Sequence, residues 1–130
     1  MIVVDTNVLV YATFEDSKYH KESVNIIQRE DVIIPQIVVY EYLKVLSELV
    51  PDLNFVKTKT EELTEFNIVC EDMNIILQAI NLIKNTKLSL KNINDFIILS
   101  FSLYTKSSLA TFDVKLRKLA EKNGVNVLPS

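Results

Sequence analysis

Four acidic residues stand where a fold could bring carboxylates together. Asp5 ends the short apolar run Ile2–Asp5, and Asp113 directly follows another, Ser108–Phe112. Asp95 lies near the start of the apolar segment Ile93 to Tyr104, and Glu41 interrupts a further one, from Pro35 to about Val50. Gathered carboxylates hold hard cations and move protons. Each acid also has an ordinary structural use. Asp5 suits the N-cap of a turn beginning Thr6-Asn7, and Asp113 suits the cap of a helix starting at Val114. Asn92-Ile93-Asn94-Asp95 looks like a capping box. Glu41 shares a narrow polar stripe with Lys44 and Glu48, which faces either solvent or a cleft.

Magnitudes separate these uses. A helix N-terminus favours one carboxylate by roughly 0.3–1 kcal/mol. Two carboxylates about 4 Å apart repel by about 4 kcal/mol at an effective dielectric of about 20. Capping alone therefore cannot hold several ionised acids close together. Either they lie apart, or some are protonated, or a cation sits between them. All-oxygen ligands select hard ions, so such a cation would be Mg²⁺ or Mn²⁺.

The elements that must position these acids alternate in type. Ile2–Asp5 is apolar on both faces, as suits a doubly covered strand. Ser17 to Arg29 reads as a helix with Tyr19, Val24, Ile26 and Ile27 turned inward. Val32–Ile34 is a second strand; Pro35 opens a helix that Pro51 stops. Asn54–Phe66 is a charged helix and Ile68–Cys70 a third strand. Met73, Ile76, Leu77, Ile80 and Ile83 recur at helical spacing and mark an apolar face. Ile93 to Tyr104 is apolar all round, the mark of a buried helix. Ser108–Phe112, Val114–Asn123 and Val125–Leu128 follow as strand, helix and strand, with Gly124 where a left-handed cap is needed.

This order predicts an α/β fold in a single domain over residues 1–130, with a mainly parallel sheet and helices on both faces. Sites in such sheets lie beyond the carboxyl ends of the strands. Asp5 and Asp113 must share that edge. Asp95 is less fixed, because its helix precedes the fourth strand.

Composition removes other chemistries. The chain has 130 residues, 48% of them apolar and 24% charged, which suits one folded domain. A single cysteine, Cys70, and a single histidine, His20, exclude an internal disulfide, a cysteine-based zinc site and a multi-histidine metal site. Cys70 is expected in the core and His20 on the surface. The single glycine, Gly124, excludes glycine-rich phosphate loops. The start Met1–Asp5 has no basic leader and no apolar stretch reaches the roughly 20 residues of a span, so a cytoplasmic location is expected.

Val4-Asp5-Thr6-Asn7, Pro35-Gln36-Ile37-Val38-Val39-Tyr40-Glu41, Asn94-Asp95-Phe96-Ile97-Ile98 and Thr111-Phe112-Asp113 resemble, in order and approximate spacing, the PIN-domain ribonucleases. The tail from Asp113 to Val127 is similar to that family's last helix and strand. The resemblance implies a five-stranded sheet of order 3-2-1-4-5. It implies that Asp5, Glu41, Asp95 and Asp113 bind Mg²⁺ or Mn²⁺, with Thr6, Asn7 and Thr111 orienting them by hydrogen bonds. Phe96 stands where the family often has a small residue, and Val114-Lys115-Leu116 lacks its further acidic or aromatic group.

On that reading the activity is endoribonuclease cleavage, resembling the VapC toxins of toxin–antitoxin pairs, with a small antitoxin as inhibitor. A homodimer is expected from the apolar content and from the helix Ile37 to Val50, apolar over most of its circumference. The net charge of −3 opposes simple gripping of nucleic acid, but without the four proposed ligands it becomes +1. Lys44, Lys115, Arg117 and Lys118 are candidates for RNA phosphate contact, against the alternative of solvated helix faces. Tyr11, Phe14 and Tyr42 are candidates for base stacking, against core packing. The competing functions are a PIN-like ribonuclease of RNA maturation or decay, and a catalytically silent protein-binding scaffold. A dehalogenase-type phosphoryl-transfer enzyme needs a second aspartate at position seven, which is Asn7.

Overall fold

The computed structural model describes residues 1–130. Its strands are β1 (Ile2–Val4), β2 (Val32–Pro35), β3 (Asn67–Val69), β4 (Ser108–Ala110) and β5 (Val127–Leu128). All neighbours pair in parallel, in the order β3-β2-β1-β4-β5. This is the expected sheet. Ile2, Val3 and Val4 of the central strand are at most 1% exposed, as a strand covered on both faces requires. Register pairs Val4 with Ala110, so the residues that follow them leave the sheet side by side.

Seven helices connect the strands: α1 (Thr6–Thr13), α2 (His20–Ile27), α3 (Gln36–Leu49), α4 (Leu53–Glu62), α5 (Met73–Lys84), α6 (Ile93–Thr105) and α7 (Val114–Lys122). α6 is buried around its whole girth from Phe96 to Ser102 and packs against β1, β4, α5 and α7. Its uniformly apolar sequence has no other stable place in water. Pro35 ends β2 and caps α3. The left-handed residue after α7 is Gly124, at φ 78°. No helix is long and apolar enough to cross a membrane.

Several local expectations are corrected. Thr6-Asn7 does not merely turn: α1 continues to Thr13 as a helix in its own right. α2 starts at His20 rather than Ser17, because the Ser17 hydroxyl donates to the carbonyls of Tyr11 and Phe14 and holds a turn there. Its innermost residues are Ser23 and Ile26, with Tyr19, Val24 and Ile27 half-buried. On α5 the core side is Ile75, Ala79 and Ile83, whereas Met73, Leu77 and Ile80 are exposed. α5 therefore carries two apolar faces and buries only one. Cys70 is exposed and donates through Sγ to Gln36 Oε1.

Candidate active site

Asp5 lies just beyond β1, Asp113 just beyond β4, Asp95 in the first turn of α6 and Glu41 in the second turn of α3. All four carboxylates line one open cleft of about 320 Å³, together with Thr6, Asn7 and Tyr11. The expected acids are thus brought together, Asp95 included.

Hydrogen bonds fix three of the acids. Asp5 Oδ1 accepts the Thr6 backbone N–H at 2.7 Å, and its Oδ2 accepts the Thr111 hydroxyl at 2.8 Å and Asn7 Nδ2 at 3.4 Å. Asn7 reaches across to β4: its amide donates to Thr111 Oγ1 at 3.3 Å, and its oxygen accepts the Phe112 N–H at 3.2 Å. Thr111 Oγ1 also accepts the Asp113 N–H at 3.1 Å. Glu41 Oε1 accepts the Thr6 hydroxyl at 2.8 Å, and Oε2 accepts Asn94 Nδ2 at 3.4 Å. Asp113 Oδ1 caps α7 by accepting the N–H groups of Lys115 and Leu116. Capping and a place in the cleft are therefore compatible for Asp5 and Asp113.

Asp95 differs. The capping box does not form, since Asn92 makes no side-chain cap bond. The Asp95 carboxyl takes no hydrogen bond, and burial followed by the charges of Asp5, Asp113 and Glu41 pushes its pKa to about 6. Asp5 is also raised to about 6, by burial above all; its bonds from Thr111 and Thr6 pull it down, and Glu41 and Asp113 push it up. Near neutral pH the cleft holds negative charge against its preference, which a proton or a cation relieves.

The donor set tests a metal directly. It is all oxygen, as a hard divalent ion requires. No three acidic groups form a ready-made metal cage as they stand. Mg²⁺ keeps several waters and uses only one or two carboxylates directly, so a shared cleft with an unbonded Asp95 fits it without a closed cage. The residues that would hold it are Asp5, Asp95, Asp113 and Glu41.

The basic candidates divide. Lys44 is exposed on α3 and does not line the cleft. Lys115 and Lys118 line a separate pocket on the far side of Asp95, with Lys122. Arg117 is engaged within the fold: its guanidinium donates to the carbonyls of Thr111 at 2.7 Å, Leu128 at 3.2 Å and Pro129 at 2.6 Å. It ties Leu128-Pro129 to the loop behind the site, with three of its five N–H donors spent on carbonyls. Tyr42 is core, 3% exposed, with its hydroxyl bonded to Thr13; Phe14 packs on Phe55. Tyr11 alone of the three aromatics reaches the cleft. His20 is half-buried, with Nδ1 against the Tyr11 carbonyl. Sequence reasoning missed Asn94 and Lys122. Asn94 was legible only as the neighbour of Asp95, and Lys122 only as one helical turn beyond Lys118.

The fold is shared with solved structures. The chain is similar in fold to a toxin–antitoxin complex from Klebsiella pneumoniae, at 20% identity and TM-score 0.71 over 90% of each chain. It is similar to the sarcin–ricin loop cleaving toxin VapC20 of Mycobacterium tuberculosis, at 13% identity and TM-score 0.75, over 91% of this chain and 94% of that one. It is also similar to VapBC2 from Rickettsia felis bound to a promoter DNA fragment, at 19% identity and TM-score 0.73, over 98% and 97%. No curated relative matches by sequence. The family model described as PIN domain matches residues 2–122, which include every carboxylate of the cleft, and the chain belongs to that family.

Proposed function

We propose that the chain is a metal-dependent endoribonuclease that hydrolyses RNA phosphodiester bonds, acting as the toxin of a VapBC-type toxin–antitoxin pair. The observation that carries this reading is the convergence of Asp5, Glu41, Asp95 and Asp113 on one open cleft. Its support is the family, and the several similar folds that belong to toxins and toxin–antitoxin complexes. The partners on this reading are an RNA substrate, a small antitoxin and a second copy of the chain, in the cytoplasm.

Hydrolysis adds water to phosphorus, breaks one P–O bond and returns a proton to the leaving oxygen. Bound Mg²⁺ or Mn²⁺ would supply charge neutralisation at the phosphate and a more acidic water. Asp5 is our choice for the central ligand, because it ends the middle strand. Thr111 and Asn7 hold its carboxylate in one orientation. Thr6 and Asn94 do the same for Glu41, our choice to position the attacking water and accept its proton. Asp113 and Asp95 complete the ligand set.

Incubation with a mixed pool of single-stranded and looped RNA, with Mg²⁺ or Mn²⁺ and then with chelator, tests the reading. Cleavage is expected only with metal. Equal cleavage in chelator would remove the metal mechanism. Absence of cleavage and of metal binding would leave the scaffold reading.

A further inference from the structure

Beside the acidic cleft lies a second pocket, about 410 Å³, within the roughly 300–1,000 Å³ typical of small-ligand sites. Its apolar lining comes from Leu88, Phe96, Leu116 and Leu119. Phe96 and Leu116 are fully buried, so they form a fixed floor, while Leu88 is 50% exposed and forms a wall that truncation can remove without opening the core.

Three lysines stand around this lining. Lys115, Lys118 and Lys122 recur on α7 at spacings of three and four, which puts them on one face of the helix. None of them is in an ion pair. Three unneutralised ammonium groups around one opening repel each other and attract an anion, although the chain as a whole is at −3. Asp95 lines both this pocket and the acidic cleft, so the two openings share a wall.

An apolar slot rimmed by cations suits a ligand that is flat and apolar in one part and phosphorylated in another. A nucleotide of single-stranded RNA has that composition. We infer that this pocket is a nucleotide-binding subsite: it takes the base of a nucleotide neighbouring the scissile phosphate against Leu88 and Leu119, with its phosphates on Lys115, Lys118 and Lys122. The subsite rests on the ribonuclease reading for its role in cleavage, but not for binding itself. Sequence choice among RNAs is then made in part on the α7 side of the cleft. A duplex keeps its bases stacked inward and cannot offer one to the pocket, so the subsite selects unpaired RNA.

The test is fluorescence anisotropy in chelator, where no metal-dependent cleavage can occur. The probes are a labelled single-stranded RNA octamer of mixed sequence, the same ribose-phosphate chain without bases, and a labelled polyglutamate. The proteins are wild type, Lys118→Gln/Lys122→Gln and Leu88→Ala. All three substituted positions are exposed, so the folds stay intact, which circular dichroism checks. The double lysine variant is expected to weaken binding of RNA and of the baseless chain alike. It should reduce the slope of log K against log salt by about 1.4, at about 0.7 for each single-strand phosphate that a lysine no longer neutralises. Leu88→Ala is expected to weaken RNA about threefold to tenfold, because it removes apolar surface from the wall, and to leave the baseless chain unchanged. Unchanged RNA affinity and salt slope in both variants overturns the subsite, even if the wild type cleaves RNA. Polyglutamate binding tighter than RNA, and abolished in the lysine variant, overturns it in favour of an acidic protein segment. RNA binding weakened as expected in a protein that cleaves nothing keeps the subsite and removes the nuclease reading, so the two failures are distinguishable.

Discussion

The Thr111 hydroxyl donates to Asp5 Oδ2 at 2.8 Å, joining residues 106 positions apart. The bond exists because Val4 and Ala110 are register partners in adjacent parallel strands, so the next residue of each chain segment emerges at the same edge. Thr111 is fully buried, and its oxygen serves Asp5, Asn7 and Asp113 at once. One hydroxyl therefore sets the relative position of two of the four carboxylates.

Thr111→Val tests that role. Valine keeps the shape and removes the hydroxyl, leaving the Asp113 N–H without its partner and Asp5 Oδ2 with only the longer Asn7 bond. Such changes cost roughly 1–3 kcal/mol in a buried setting. The Thr111 bond also holds the Asp5 pKa down against burial. The variant is expected to melt lower and to need a higher pH for metal binding. Thermal melts and Mg²⁺ or Mn²⁺ titrations across pH measure both. An unchanged pH dependence would show that Thr111 does not tune Asp5.

The pH dependence of the metal-free fold has a definite sign. Asp5 and Asp95 titrate near 6 in the folded state and near 3.8 when unfolded. Between those values the folded chain holds the extra protons, so lowering the pH from 7 towards 4 stabilises it through these two groups. For buried Asp5 the effect is of the order of 2–3 kcal/mol; for the more exposed Asp95 solvent screening makes it smaller. Metal binding runs the other way and weakens below about pH 6, where the proton competes for the same oxygens. Urea unfolding at pH 5 and 7, with and without Mg²⁺, checks both signs. A metal-free fold more stable at pH 7 than at pH 5 would contradict the first.

How far the sequence spoke for itself depends on whether a signal was local. β1, α6 and the Gly124 cap were legible because continuous apolar runs and a lone glycine admit few placements. Asp5 and Asp113 followed from topology alone. The convergence of Asp95 and Glu41 did not, because it depends on how α6 and α3 pack; family resemblance supplied it. The true core face of α5 was illegible, since the helix is apolar on two sides and periodicity cannot rank them. The structural use of Arg117 was illegible for a related reason. Its charge suggested phosphate, and the three carbonyls that take three of its N–H groups are brought together only by the fold.

Asp95→Asn and Asp5→Asn are expected to separate charge from shape. Asp95 takes no hydrogen bond, so asparagine removes repulsion and breaks nothing. The metal-free variant should melt higher than wild type. Asp5 gives up a bond from Thr111 or Thr6, worth roughly 1 kcal/mol, while losing a buried charge that costs more. Its metal-free form should be as stable as wild type or more so. Both variants should lose RNA cleavage, and Mg²⁺ should raise their melting temperatures much less than it raises that of wild type. Melts that fall without metal in both, or cleavage that survives in both, would remove the metal-site reading and leave Asp5 as a cap alone.

The last expectation concerns the second apolar face of α5. Met73 is 63% exposed, Leu77 51% and Ile80 37%, at spacings of four and three on one side of the helix. The opposite side, Ile75, Ala79 and Ile83, already fills the core. A monomer would leave this stripe in water, at a cost of about 25 cal/mol for each Å² of apolar surface. A second copy meeting it about a two-fold axis would set α5 against α5 and bury both stripes in one interface. Leu77→Lys puts two charges at the centre of that interface and touches no core residue. Sedimentation at micromolar concentration is expected to show a dimer for the wild type and a monomer, still folded by circular dichroism, for the variant. A wild type that sediments as a monomer would end the homodimer reading, and a dimer unaffected by Leu77→Lys would move its interface away from α5.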